Sequence, residues 1–225
     1  MNDRQTVPLF PLGLVQFPGT LTPLHIFEQR YRQMLEDIQE GDKTFGIVYR
    51  QADGLAEVGS LVHVAIARPL PDGRSNILCF GTTRFRLFRV IEDDETPYAR
   101  AEIDIFEDDP AFDSLEEEAT ALRDLFARLI TARRRLEGQP EGGPIEELED
   151  ASDVADDPQL LSFFIASNLD VDLSLKQRWL EMTNTALRLR EIHRQLADLV
   201  GEYEKKAHIG RISKTNGHGG HPHSH

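Results

Sequence analysis

Four histidines, His218, His221, His223 and His225, fall within the last eight residues of the chain, a density at which neutral imidazoles can share a transition-metal ion. They are the candidate metal ligands of this sequence, although the plainer reading is a flexible tail with incidental metal affinity. Five arginines, Arg68, Arg74, Arg84, Arg86 and Arg89, form the second constellation, with Phe85 and Phe88 between them. Such a patch could hold RNA through phosphate contacts and base stacking, or lie along a solvated sheet face, which is the simpler expectation. Cys79 is the single cysteine and lies in the apolar run Ile77-Leu78-Cys79-Phe80, so an internal disulfide is excluded and a buried, inert thiol is expected.

The motifs of catalysis are missing. A phosphate-cradling loop needs backbone N–H groups from a glycine-rich turn and a lysine that reaches the same phosphates. Gly41-Asp42-Lys43-Thr44 is the nearest string, but aspartate stands where that loop needs glycine, and the upstream glycine is absent. Neither Gly-x-Ser-x-Gly, Ser-x-x-Lys nor His-Glu-x-x-His occurs. No catalytic residue and no cofactor is therefore assigned, and a hydrolase would have to be assembled from residues that carry no motif.

Charge narrows the partners. The 225 residues carry a formal charge of -14, and residues 92–157 alone hold 23 acidic and 6 basic side chains. A field of that sign opposes broad contact with phosphates, so nucleic acid is not the expected partner. No run of 18 apolar residues exists, and Met1-Asn2-Asp3-Arg4-Gln5 lacks the order of a secretory signal, which together predict a cytoplasmic protein without a membrane partner.

The elements that position these residues divide the chain into a β-rich half and a helical half, an α+β arrangement. Val7 to Leu12 and Val15 to Gly19 are extended by their prolines and are expected at edges or in loops. A helix from Glu28 to Gln39 places Tyr31, Met34, Leu35 and Ile38 on one stripe, with Gly41 as its stop. Strands follow at Phe45 to Tyr49, Val58 to Arg68, Asn76 to Phe80, Arg84 to Ile91 and Tyr98 to Phe106, and Pro71-Asp72-Gly73 forms a hairpin turn. Beyond Asp108-Asp109-Pro110 the period is helical. Ser114 starts one helix, Asp157-Pro158 a second, Ser174 a third, and Leu189, Ile192, Leu196, Leu199 and Tyr203 stripe the last. The expected organisation is a β-rich unit over 1–110, a helical unit over 111–207 interrupted by an acidic connector at 138–157, and a disordered His-rich tail over 208–225.

Three segments, in order, carry a family resemblance. Pro8-Leu9-Phe10-Pro11-Leu12, Phe17-Pro18-Gly19 and Pro23-Leu24-His25-Ile26-Phe27-Glu28 with Arg30-Tyr31-Arg32 form the first. Gly59 to Ala67 with Gly81-Thr82-Thr83-Arg84-Phe85 is the second, and Ile165 to Leu169, Lys176-Gln177 and Leu180-Glu181 the third. Together they resemble the N-terminal substrate-binding domain of Lon proteases, with Trp179 departing from the pattern at one apolar position. The resemblance implies a PUA-like β-pseudobarrel followed by a helical bundle. It also implies a non-catalytic role in holding unfolded or tagged polypeptides, with a protease as the other expected partner, and it implies no ATPase or peptidase activity. Read as residues alone, Phe10, Phe17, Leu24, Ile26 and Phe27 are expected in the core, and Glu28 and Arg30 in an ion pair or a helix cap. Gly13, Gly19 and Gly81 are expected at turns or close approaches. Polypeptide is expected to bind in a groove between the β half and the helices, lined by apolar side chains with a polar rim.

Overall fold

The computed structural model describes residues 4–111, 113–138 and 157–216. Six strands, β1 (Gln5–Leu12), β2 (Leu21–Ile26), β3 (Thr44–Gln51), β4 (Gly54–Pro69), β5 (Ser75–Ile91) and β6 (Arg100–Phe106), form one sheet in the order β2-β5-β4-β3-β1-β6. An additional β5–β6 pairing closes it, so β5, β4, β3, β1 and β6 make a barrel and β2 is appended to it. This is the pseudobarrel, and the α+β class holds.

Helix α1 (Gln29–Gln39) packs against the barrel through Tyr31, Met34, Leu35 and Ile38, all buried, as the helical spacing predicted. Helices α2 (Glu116–Glu137), α3 (Pro158–Asn168), α4 (Leu173–Glu181) and α5 (Thr185–Asn216) follow the strands. Two buried clusters belong to the barrel, one shared with α1 and one centred on Leu9, Phe85 and Ile103. A third joins α2 to α5 and takes in Phe17 and Val58 from the β half. The helices thus cover one outer face of the sheet, which the sequence pattern would leave to solvent.

Several local expectations are corrected. β1 is an interior strand, not an edge: residues 5–8 pair with β6 and residues 9–12 with β3. Because each half pairs with one neighbour in that register, Pro8 and Pro11 can occupy an interior strand without interrupting a two-sided ladder. The separate strands expected at Asn76 to Phe80 and Arg84 to Ile91 are one strand, β5, whose first half carries β2 and whose second half carries β6 along the same edge. Val62 and Val64 are buried, but Ile66, which shares their alternate spacing, is 45% exposed because a bulge between Val64 and Ile66 breaks the alternation.

Helix ends differ too. Asp172, not Ser174, is the N-cap of α4. The left-handed residue after α1 is Lys43 (φ 57), not Gly41, with Asp42 accepting the Thr44 N–H at 3.0 Å. Asp157 caps α3 as expected, accepting from the Gln159 and Leu160 N–H groups. Helix α5 continues past His208 to Asn216, with Ile209 66% exposed. Residues 139–156 of the acidic connector and the tail histidines, His218, His221, His223 and His225, lie outside the described residues. None of the described helices is long and apolar enough to cross a membrane.

Candidate functional site

The junction between barrel and helices starts from a strand residue. In β5 Ile77, Cys79 and Phe85 pack into the barrel clusters, and Arg84, the neighbour of Phe85, falls on the outer face, beneath the helices. It is 1% exposed and donates through Nη1 to the carbonyl oxygens of Leu180 (2.8 Å) and Met182 (2.7 Å), where α4 ends. Arg188 of α5 is fully buried and donates to the Met182 carbonyl at 2.8 Å and the Ser162 hydroxyl at 2.7 Å. Asp108, in the loop after β6, accepts from both guanidinium groups and from the Thr185 hydroxyl.

Two cations share one carboxylate here, and the end of α4 supplies the missing negative character through its free carbonyls. Phe163 and Phe106 close over the guanidinium groups, with Arg188 4.1 Å and Arg84 4.4 Å from the respective ring centres. Burial pulls the Arg84 guanidinium below its ordinary value, and Asp108 opposes that shift. The cluster is saturated with partners and has no room for a reacting group. It is a joint.

Beside this joint lies a groove of about 760 Å³ between the β half and α3 and α4. One wall is the face of α3 that carries Leu160, Phe164, Ser167 and Asn168, spaced by four, three and one. Leu14, Val15 and the strand residues Leu21 and Phe80 make the other, with Leu173 and Lys176 from α4 at the α3 C-terminal end. Leu21 is 58% and Phe80 41% exposed. Among the described residues Lys176 is the single charged side chain in the lining; it donates to the Ser167 carbonyl at 2.9 Å. Burial lowers its ammonium from the ordinary lysine value, with Asp170 partly offsetting that.

The loop behind Leu14 and Val15 is held rigidly. Buried Gln16 donates through Nε2 to the Phe17 carbonyl (2.9 Å) and to the Thr20 carbonyl (3.1 Å) and hydroxyl (3.0 Å), while its own carbonyl accepts from Ser60 (2.7 Å). Gly19 (φ 73) turns the chain toward β2, and its N–H donates to the Gly81 carbonyl at 2.9 Å. A Cβ on Gly81 would overlap the Phe17 carbonyl, so the close approach expected there is real, as is the turn at Gly19. Gly13 meets neither criterion: nothing lies within 4 Å of its Cβ position, and its φ is not positive.

The predicted site residues scatter. Arg84 is withdrawn from any surface patch; Arg74 pairs with Asp72 and Arg89 with Glu102, each at 2.5 Å, and Arg86 lies over the Phe106 ring. Arg84 is thus removed from the five-arginine patch, while Arg68, Arg74, Arg86 and Arg89 are exposed. Phe10, Phe17 and Ile26 are buried and Leu24 is half-buried, but Phe27 is 60% exposed and stacks on His25, because it follows buried Ile26 at the strand end and points the other way. Glu28 and Arg30 form an exposed ion pair at 2.7 Å, and the Glu28 side chain makes no cap bond. Among the described residues no group of three His, Cys, Asp or Glu side chains could hold a metal ion.

Cys79 is fully buried, and burial pushes its thiol up to about 12. Its folded value therefore lies above the ordinary 9.0, and the neutral thiol contributes stability that is complete below about pH 9 and lost as pH rises through 12. Tyr98, whose hydroxyl donates to Asp37 at 2.7 Å, is raised to about 12 and acts in the same direction. The urea midpoint should fall between pH 8 and pH 11, and Cys79 should react with Ellman's reagent only after unfolding. Rapid labelling of the native protein at pH 8 would contradict this burial.

The molecule is a closed barrel with a helical layer pinned to it and an apolar cleft along the seam. Residues 6–198 match the family model described as the ATP-dependent protease La (LON) substrate-binding domain, and the chain belongs to that family. It is 30% identical to Lon protease 2 of Myxococcus xanthus over 226 residues, covering 94% of this chain and 26% of that protein. With Lon protease of Cytophaga hutchinsonii the identity is 24%, over 90% of this chain and 26% of that protein. The chain thus spans about a quarter of the length of these relatives. Its fold is similar to a Lon N-terminal domain protein from Xanthomonas campestris (TM-score 0.62, 21% identity, 84% of this chain and 96% of that one). It is also similar to the N-terminal domain of a Mycobacterium avium complex Lon protease (TM-score 0.63, 17% identity, 86% and 99%).

Proposed function

We propose that this chain is a non-catalytic binding module that captures exposed apolar segments of unfolded polypeptides and serves as an adaptor or modulator of proteolysis. The groove carries the reading. Leu21 and Phe80 stand open to solvent in a cleft whose other apolar lining residues are Leu14, Val15, Leu160, Phe164 and Leu173. An extended segment seated there would remove these surfaces from water, at about 25 cal/mol per Å² of apolar area before the cost of ordering the peptide. Thr22, Ser167 and Asn168, none of them buried, supply the polar rim that a peptide backbone needs. Membership of a substrate-binding family supports the same role.

The test is a titration of fluorescently labelled, permanently unfolded polypeptide against the full chain. Saturable binding with a Kd in the range of roughly 1–100 μM is expected for a cleft of this size without a deep anchor pocket. No saturation at about 1 mM would sink the reading. RNA retained in a low-salt shift assay and released steeply by salt would instead favour a nucleic-acid module. Turnover of model peptides by the purified chain would favour a hydrolase.

A further inference from the structure

The charge of the groove is at odds with the charge of the molecule. In a chain of net charge -14, the thirteen described residues that line this cleft include no carboxylate, and among the described residues its only charged group is the Lys176 ammonium. Lys176 makes no ion pair within 4.0 Å among the described residues. One of its three donors is occupied by the Ser167 carbonyl, at the C-terminal end of α3; Asp170 acts on the ammonium from outside the lining without a hydrogen bond, which leaves it anchored and short of acceptors. Holding a helix end explains the anchor; it does not explain why the described lining carries a cation and no carboxylate.

Resting on the polypeptide-binding reading above, we infer that the groove selects polypeptides that end in apolar residues, with the free C-terminal carboxylate received by Lys176. The dimensions fit this occupant. From Leu160 to Asn168 the α3 wall rises about 12 Å, which an extended peptide covers in roughly three to four residues. Leu160 lies against Gly19 at one end, and Lys176 meets Ser167 at the other, so the cation terminates the apolar wall. A main-chain carboxylate leaves each of those residues free to place an apolar side chain on the wall. An internal aspartate or glutamate would sacrifice one and would carry the chain onward past Asp170 and Asp172, which flank this end and are exposed.

Anisotropy with the full chain and three fluorescein-labelled peptides tests this. One ends in four apolar residues as a free acid, one is the same sequence amidated, and one is amidated with an aspartate placed before two further apolar residues. The free acid should bind about tenfold more tightly than its amide, the scale of one charge-assisted hydrogen bond. That advantage should disappear in Lys176→Met and persist in Lys176→Arg, each checked for a native melting curve. Equal affinity of acid and amide for the native protein overturns the inference while leaving the apolar-segment reading intact. An internal aspartate binding as tightly as the free acid overturns the choice of chain end. No saturable binding of any of the three overturns both readings.

Discussion

Replacing Asp108 with alanine should lower the stability of the folded chain by about 3–5 kcal/mol, a loss on the scale of breaking a buried ion pair from one side. Arg84 and Arg188 stay where they are in that variant, 1% and 0% exposed, without the carboxylate they share. Their remaining partners are neutral: the Leu180 and Met182 carbonyls and the hydroxyls of Ser162 and Thr185. Asp108→Asn keeps the shape and one acceptor oxygen and should fall between alanine and the native residue. Arg188→Met removes the one excess cation, but it also takes away the bonds that Arg188 donates to Asp108, to Ser162 and to the α4 end, so it too should be destabilising, by about 2–4 kcal/mol. Urea denaturation followed by tryptophan fluorescence reads all three, since Trp179 is fully buried in α4 beside this joint. A loss below about 1 kcal/mol for Asp108→Ala would mean that the trio does not pin the helical layer to the barrel.

Leu21→Asp combined with Phe80→Asp should weaken binding of unfolded polypeptide by tenfold or more, roughly, because the pair removes two apolar contacts and places two carboxylates where the segment lies. Both side chains are exposed, at 58% and 41%, so the melting curve should stay close to native and separate lost binding from lost folding. Phe27→Asp is the comparison. Phe27 is the more exposed residue at 60%, yet it is absent from the groove lining and should leave binding unchanged. If Phe27→Asp weakens binding and the double variant does not, the segment docks on the surface around His25 and Phe27, outside the cleft.

Much of the fold was legible before any coordinate. The stripe of Tyr31, Met34, Leu35 and Ile38, the Pro71-Asp72-Gly73 hairpin and the Asp157 cap all follow from local periodicity and from side chains that act on their own backbone. The expectations that failed depend on neighbours in space. Period two is indifferent to which strands flank β1, whether β5 is interrupted, or whether a second layer covers its outer face. Arg188 offered one usable signal: with Thr185, Ile192 and Leu196 it falls on the buried stripe of α5, and a charge in that register demands a buried partner. Asp108 offered none, since Asp108-Asp109-Pro110 reads equally well as a plain helix boundary.

By itself, then, the sequence determined the β-then-helical order, the identity of the family through residues 8–32, and the lack of catalytic motifs, because each is written in local pattern or in contiguous motif. Only the tertiary structure decided that Arg84 belongs to a buried joint instead of a basic surface. Only it brought Leu21 and Phe80 into one cleft with Leu160, Phe164 and Lys176. These residues lie as much as 155 positions apart in the chain. What unites them is barrel closure and the docking of α3 and α4 on the seam, and the energy of that docking comes from long-range burial that no window of sequence contains.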